Sequence, residues 1–387
     1  MPIDPRNLAR YSAPSQPTPA PTLAGPPPLP DLVLLGGGNS GEAVVLRAQA
    51  LAALDGQGIT AGGINNDGLG PRAITVARAG EPSLTLALTE RLLLAGANPR
   101  DRLADYPLLD QRYVRLLRGI PVLETYPRAG HGGHGHPVIS ALDIDLNVGA
   151  LLRFCRGLLR QLNSDESQPG EQSDLRRLLA ERHRRAAAQR RLLRIAVVGG
   201  GCGSMGNAAH HLLPYLLRHL LAELGVVEYE LWGFVLGPQA FSGLTPFVAH
   251  NYRALLRSLD HMARHGQRRA YIDGLQIVSA APPYDRLFLL DEPNLPVASA
   301  QVSEPELEAF FDQAALTIYH LLACGTVWPT IASHMANPAD AVADGRLRFL
   351  HTARVAVANL DRSRLHDVLS AQIAADLLEH VANGIAA

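Results

Sequence analysis

Two glycine-rich turns, each placed between a short apolar strand and a helical pattern, constrain the fold of this chain most. The first, Gly36-Gly37-Gly38-Asn39-Ser40-Gly41, follows the run 32–35; the second, Gly199-Gly200-Gly201-Cys202-Gly203-Ser204, follows the run 195–198. A strand that passes through several glycines into a helix can turn its backbone N–H groups towards phosphate, with the positive end of the helix dipole behind them. The two turns therefore predict an α/β fold with a nucleotide site.

The basic residues are all arginines, because the 387 residues include no lysine. A Walker-type P-loop and Schiff-base chemistry both need a lysine, so both are excluded. The 35 arginines offset 36 acidic residues to a formal charge of −1. This balance disfavours nucleic acid or an anionic membrane as a partner of the whole chain, and leaves only local patches of charge open.

The cysteines and the apolar runs indicate the compartment. Cys155, Cys202 and Cys324 are isolated thiols without a CxxC pair, which disfavours disulfide bonds and a cysteine zinc site. No apolar run reaches the ~18 residues that span a bilayer, and the N-terminus lacks the basic-then-apolar order of a secretion signal. We expect a cytoplasmic protein without membrane contact.

The order of the predicted elements favours a doubly wound, mostly parallel sheet. Ten prolines in residues 1–30 predict a disordered tail. Strands are predicted at 32–35, 59–64, 74–77, 195–198, 229–236, 275–280, 286–290 and 355–359. Helices are predicted at 41–54, around 89–95, 111–117, 148–162, 205–224, 247–263, 305–322 and 364–381.

This order suggests several regions. We predict a nucleotide-binding domain over 31–245 with a polar, arginine-rich insertion near 163–194, then a central helix over 246–265 and a smaller α/β domain over 266–387. The arginine-rich stretch is a solvated helix face or, less favoured, a patch for an acidic partner.

The same order resembles the tubulin/FtsZ superfamily, and more closely its bacterial tubulin-like branch, from Asp31 to about Leu378. The family signature, Gly-Gly-Gly-Thr-Gly-Ser/Thr-Gly, matches residues 199–205 except at Cys202 and Met205. Asn65-Asn66-Asp67 is similar to the second nucleotide loop of the family. In the family an aromatic residue that stacks on guanine precedes, by one turn, an Asn or Asp that reads its edge, and Phe247 and Asn251 have that spacing.

The resemblance implies a binding site for GTP or GDP, with Mg²⁺ as a companion ion. Its implied residues are Gly36, Gly37, Gly38, Asn39, Ser40, Gly41, Asp67, Gly200, Gly201, Cys202, Gly203, Ser204, Phe247 and Asn251. The family's hydrolytic loop, with an Asn and two Asp residues, has no counterpart here. The resemblance therefore implies binding with weak or no GTPase activity, and a self-assembly or scaffold role.

Two other interpretations stay open. Both glycine turns also satisfy G-x-G-x-x-G, so a flavin- or nicotinamide-dependent oxidoreductase with two Rossmann-type units is the alternative. Its fingerprint expects an acid at the end of the next strand, and Asp55, Glu228 and Glu230 are not placed there. A scaffold that has lost its ligand would bind neither cofactor. We predict no metal site at His131, His134 and His136, because no carboxylate accompanies them. The resemblance instead implies that this glycine–histidine segment lies near the family's third phosphate loop, with its glycines serving the backbone.

Overall fold

The leucine-rich run after residue 30 forms strand β1 (Asp31–Gly37), which lies inside a parallel sheet. The computed structural model describes residues 31–68, 73–76, 83–88, 90–94, 113, 132–133, 135–162, 192–243, 246–271, 274–291 and 302–323, and the backbone of 342–343, 346–347 and 350–352. The order in the seven-stranded sheet is β13 (Leu350–Thr352), β10 (Arg286–Leu290), β7 (Tyr229–Leu236), β6 (Leu193–Gly200), β1, β2 (Thr60–Asn65) and β5 (Arg91–Leu93). Every neighbouring pair is parallel.

Helices cover both faces of this sheet. The described helices are α1 (Gly38–Leu54), α2 (Pro137–Leu146), α3 (Val148–Gln161), α4 (Met205–Glu223), α5 (Val248–His265) and α6 (Glu304–Leu322). Side chains of α2 to α5 pack in one apolar cluster with the sheet, and those of α1 and α6 in another. The chain therefore winds on both faces, as a doubly wound sheet does.

The strand sequences explain this layering. In β1 the side chains of Val33 and Leu35 join one cluster, and those of Leu32 and Leu34 join the other. Successive residues of a strand point to opposite faces, so a strand buried on both faces is apolar at every position. The predicted α/β class with a doubly wound, mostly parallel sheet is confirmed.

One predicted element near the sheet is wrong, and another is a strand, as predicted, but lies outside the main sheet. The helix predicted around 89–95 is strand β5, because a short leucine run fits a buried strand as well as a helix. The strand predicted at 74–77 is β3 (Ala73–Val76), which pairs with β4 (Leu84–Ala87) in a hairpin outside the main sheet. A second hairpin, β8 (Gln267–Ala270) with β9 (Gln276–Ser279), follows α5. A short pair, β11 (Val342–Ala343) with β12 (Arg346–Leu347), precedes β13.

Several predictions lie outside the described residues. These are the tail at 1–30, nearly all of the insertion at 163–194, the helix at 111–117 except Tyr113, and the elements at 355–359 and 364–381. The domain limits stay a prediction. The structure adds that β10 and β13, which follow residue 266, belong to the same sheet as β1.

Candidate nucleotide site

A cavity of about 370 Å³ opens where β1, β2 and β6 end. From β1 the sheet is extended on one side by β2 and β5, and from its neighbour β6 on the other side by β7, β10 and β13. The cavity therefore lies at the point where the strand order reverses, which is where open α/β sheets bind ligands. The described lining residues are Gly37, Gly38, Asn39, Ser40, Asn65, Asn66, Asp67, Gly132, Gly133, Gly135, Gly200, Cys202, Gly203, Ser204, Met205, Gly206, Phe241 and Val248.

The glycines of the first turn divide into packing and lining residues. A Cβ atom on Gly36 would lie 2.7 Å from backbone atoms of Gly41, and one on Gly41 would clash with the carbonyl oxygen of Val198. These two glycines bring α1 against β6 and do not line the cavity. Gly38 lines it with a φ of +73°, a conformation that favours glycine.

The second turn shows the same division. A Cβ atom on Gly201 would lie 2.7 Å from the Tyr252 ring, so Gly201 serves packing. Gly200, Cys202, Gly203 and Ser204 line the cavity. A Cβ atom on Gly203 would meet no atom within 4 Å, so this position is open to the space in front of the turn.

A third glycine segment forms the opposite wall. Gly132, Gly133 and Gly135 line the cavity, and the backbone N–H of Gly132 donates to the carbonyl oxygen of Asn66 at 3.0 Å. The resemblance implied a phosphate loop in this segment, although these three glycines were not among the individually predicted site residues. His131 and His134 lie outside the described residues.

Three helix N-termini meet this cavity. Helices α1 and α4 begin at lining residues, and α2 begins two residues after Gly135. None of the three has a side-chain N-cap hydrogen bond or an acidic residue in its first turn. Helix α6 differs, because Ser303 and Glu306 form a capping box there. The first N–H groups of α1 and α4 thus remain available to an anion.

A polar network supports the end of β2. The side-chain N–H of Asn39 donates to Asp67 at 3.1 Å, and that of Asn65 donates to the Asn39 side-chain oxygen at 2.6 Å. Asn65 also donates to the buried Glu42 at 3.2 Å, and Arg91 donates to Glu42 at 2.8 Å. Burial raises the pKa of Glu42, while the hydrogen bond from Arg91 acts in the opposite direction. The network fixes the Asp67 carboxylate at the cavity.

A second buried acid stands behind Asn66. The Asn66 amide donates to Asp143 at 2.6 Å and to the Ser140 hydroxyl at 3.1 Å. Burial raises the pKa of Asp143 to about 6, although the Asn66 hydrogen bond acts against the shift. Asp143 therefore holds a side chain of the cavity wall in place without lining the cavity itself.

The predicted pair Phe247 and Asn251 lies beside the cavity and is not part of its lining. The Asn251 amide nitrogen donates to the carbonyl oxygens of Gly135 at 2.7 Å and Cys202 at 2.8 Å. Since both partners are acceptors, they fix the orientation of the amide. The ring of Phe247, 41% exposed, lies 5.1 Å from that of His136 between centroids.

The thiol of Cys202, in the second glycine turn, is buried. Burial and then the nearby Asp291 carboxylate raise the pKa of Cys202 well above its usual range. The side chain is therefore a neutral thiol, a weak donor compared with a hydroxyl.

The structure brings together most of the predicted site residues. Of these, Gly37, Gly38, Asn39, Ser40, Asp67, Gly200, Cys202, Gly203 and Ser204 line one cavity. Gly36, Gly41 and Gly201 pack behind it.

Among the described residues, no three His, Cys, Asp or Glu side chains are grouped as metal ligands. None of the described helices is long and apolar enough to cross a membrane.

Comparison with known proteins gives only remote similarities. No family model and no curated protein matches the chain. Among solved structures, GDP-bound monomeric CetZ1 from Haloferax volcanii is 12% identical, with a TM-score of 0.41, over 78% of this chain and 64% of CetZ1. A tryptophan-to-tyrosine mutant of FtsZ from M. jannaschii is 12% identical, with a TM-score of 0.35, over 76% of this chain and 57% of FtsZ.

Both neighbours belong to the tubulin/FtsZ superfamily, and this chain spans less than two thirds of the length of either. The narrower bacterial branch is not confirmed. Because both TM-scores are below 0.5, these similarities carry no argument about function, which is therefore argued from the site itself.

Proposed function

We propose that the cavity binds GTP or GDP together with Mg²⁺, and that the chain is a tubulin-like nucleotide-binding protein. The observation that carries this proposal is the meeting of three uncapped helix N-termini with three glycine segments at one cavity. Helix dipoles and free backbone N–H groups favour a phosphate group at such a place.

The charges around the cavity favour a metal complex of the nucleotide. No arginine or histidine is found among the described lining residues, and Asp67 is the one carboxylate there. Mg²⁺, when bound, would supply positive charge that offsets the charge of the phosphates. Mg²⁺ in proteins is commonly bound by one or two carboxylates together with substrate phosphates, so Asp67 would hold it.

The proposed base selectivity rests on Asn251. Its amide nitrogen is engaged by two carbonyl oxygens, whereas its side-chain oxygen has no donor in the described part of the chain. That oxygen can only accept a hydrogen bond. Guanine offers adjacent N–H donors on its Watson–Crick edge, so we propose that Asn251 and the Phe247 ring contact a guanine base.

Binding rather than turnover is the proposed activity. Asp67 is committed to the metal in this proposal, and the described lining residues provide no second carboxylate and no imidazole to orient an attacking water. We propose a weak or inactive GTPase with a self-assembly or scaffold role.

The oxidoreductase alternative assumed two dinucleotide-binding units. The two glycine turns instead end neighbouring strands of one sheet and line one cavity. A second, separate dinucleotide site therefore has no support from the two turns.

Calorimetric titration of the purified protein with GDP, GTP, ATP and NAD, with and without Mg²⁺, tests the proposal. Gly203→Val places a side chain in the open space before the second turn, and should abolish nucleotide binding without unfolding the protein. Gly58→Val is the matched control, because a Cβ atom there also meets nothing within 4 Å and Gly58 does not line the cavity.

We expect Mg²⁺-dependent binding of GDP and GTP by the unmodified protein and the control, and none by Gly203→Val. Equal binding by Gly203→Val would contradict the proposed site. Preference for NAD would favour the oxidoreductase, and binding of no ligand would favour the scaffold.

A further inference from the structure

Helix α5 exposes a basic surface away from the cavity lining. Its buried residues Leu255, Leu259 and Met262 anchor it to the sheet layer. The exposed side of α5 carries three arginines and three histidines, and the adjoining strand β8 adds a fourth arginine. These residues, called the basic face below, are His250, Arg253, Arg257, His261, Arg264, His265 and Arg268.

The arginines of this face differ from six arginines elsewhere in the described structure, although Arg153 and Arg160 on α3 are also exposed and have no carboxylate partner among the described residues. Arg47, Arg91, Arg156, Arg194, Arg218 and Arg269 each bond a carboxylate. On the basic face Arg264 pairs with Asp260, which is the one acid between residues 248 and 268. Arg253, Arg257 and Arg268 have no carboxylate partner among the described residues, so their charges are available to an external anion.

The composition of the face identifies the kind of anion. Between the charged side chains of α5 lie small residues such as Ala249 and Ala254, both exposed, and the large apolar side chains exposed at the borders of the face are single ones, Phe247 and Val278. Protein interfaces usually have an apolar, aromatic-rich core, and helices that lie on membranes bury an apolar face, so neither partner fits. A hydrophilic polyanion fits.

The shape of the face favours duplex DNA over a single strand. Single-strand binders stack bases on aromatic side chains, and no exposed aromatic residue occurs on this face. The 18 residues of α5 form a helix about 27 Å long, and its arginines, from Arg253 to Arg264, occupy about 17 Å of that length. A row of guanidinium groups on a helix matches a stiff duplex, in which each strand carries a phosphate about every 3.4 Å of axis.

We propose that the basic face binds duplex DNA through its phosphate backbone, without reading base sequence. The overall charge of −1 does not oppose this, because Asp260 is the one acid between residues 248 and 268. The proposal is independent of the nucleotide site, since the four arginines do not line the cavity.

Fluorescence anisotropy with a labelled 20-base-pair DNA of arbitrary sequence tests this proposal across a salt series. The variant is Arg253→Gln with Arg257→Gln, which removes two charges and keeps most of each side chain. The matched control is Arg153→Gln with Arg160→Gln on α3, because both residues are exposed and unpaired in the described structure. Single-stranded DNA, double-stranded RNA, polyglutamate and anionic vesicles are the competing probes.

The expected result is salt-sensitive duplex binding that weakens about tenfold or more in the α5 variant and loses about two units of slope in the salt series. The control variant should bind as the unmodified protein does. Equal binding by the two variants, a preference for any competing probe, or no duplex binding at low salt would overturn the proposal. GDP titration of the α5 variant confirms that it is folded, and its circular dichroism spectrum does so if GDP does not bind.

Discussion

At the scale of single residues, Asn251 connects two segments that are distant in sequence. Its amide holds the carbonyl oxygens of Gly135 and Cys202, so it shapes the cavity even before any contact with a base. The pair Phe247 and Asn251 could be found from its spacing, but the two carbonyl partners could not, because they depend on how three chain segments meet.

Asn251→Ala should weaken GDP binding at least about tenfold and lower the free energy of unfolding by about 1–3 kcal/mol, because two carbonyl groups lose their donor. Calorimetry and urea unfolding measure the two effects. Gln49→Ala is the control: it removes an amide-to-carbonyl bond of 3.2 Å to Ile59, away from the cavity, and should leave GDP affinity unchanged. An unchanged GDP affinity in Asn251→Ala would remove this residue from the site.

The buried Asp143 predicts a pH effect on stability. Its pKa is raised by burial from 3.8 to about 6 in the folded protein. The folded state therefore holds the proton more tightly, and this contribution to stability is present below pH 3.8 and lost as the pH rises through 6.

Asp143→Asn keeps an acceptor for Asn66 and removes the titration. We compare the free energy of unfolding of the variant with that of the unmodified protein. The difference in favour of the variant should be about 1 kcal/mol larger at pH 7.5 than at pH 5. Urea unfolding at both pH values measures the difference. The same gain at the two pH values would show that Asp143 is not the titrating group.

At the scale of elements, the close approach of α4 to β6 sets the shape of the second turn. A Cβ atom on Gly206 would lie 2.5 Å from the backbone nitrogen of Gly200 and 2.6 Å from its oxygen. Both are backbone atoms, so the turn itself must shift to accept a side chain.

Gly206→Ala should cost about 1–3 kcal/mol of stability and abolish GDP binding, because overpacking forces the backbone apart. Gly157→Ala in α3 is the control, since its Cβ atom meets nothing within 4 Å and alanine favours a helix. Thermal unfolding and calorimetry measure both variants. Normal GDP binding by Gly206→Ala would mean that the turn geometry does not matter for the ligand.

Sequence patterns predicted the long elements well and the short ones poorly. Strand β7 and strand β10 have the predicted limits, because each is a mostly buried, mostly apolar run whose more polar residues, Tyr229 with Glu230 and Arg286, lie at its start. Strand β5 was predicted as part of a helix, since three or four apolar residues carry no period. The role of each glycine could not be predicted from the sequence either. Whether Gly41 serves packing or lines the cavity depends on its contact with Val198, which lies far along the chain.

At the scale of the whole molecule, the chain places three glycine segments at one switch point of a single sheet. The prediction of a doubly wound α/β fold needed only the alternation of elements. The third wall, from Gly132 to Gly135, was predicted only as a segment near a phosphate loop, and its lining residues were not named, because only the folded sheet brings them to the two turns.

Hydrogen–deuterium exchange with and without GDP and Mg²⁺ tests the central claim most directly. Phosphate bound to backbone N–H groups should slow exchange in peptides that cover residues 38–41 and 200–206, and Mg²⁺ should add protection near Asp67. Slower exchange in these peptides is the predicted result. Protection elsewhere in the chain, or none at saturating GDP, would contradict a guanine nucleotide in this cavity.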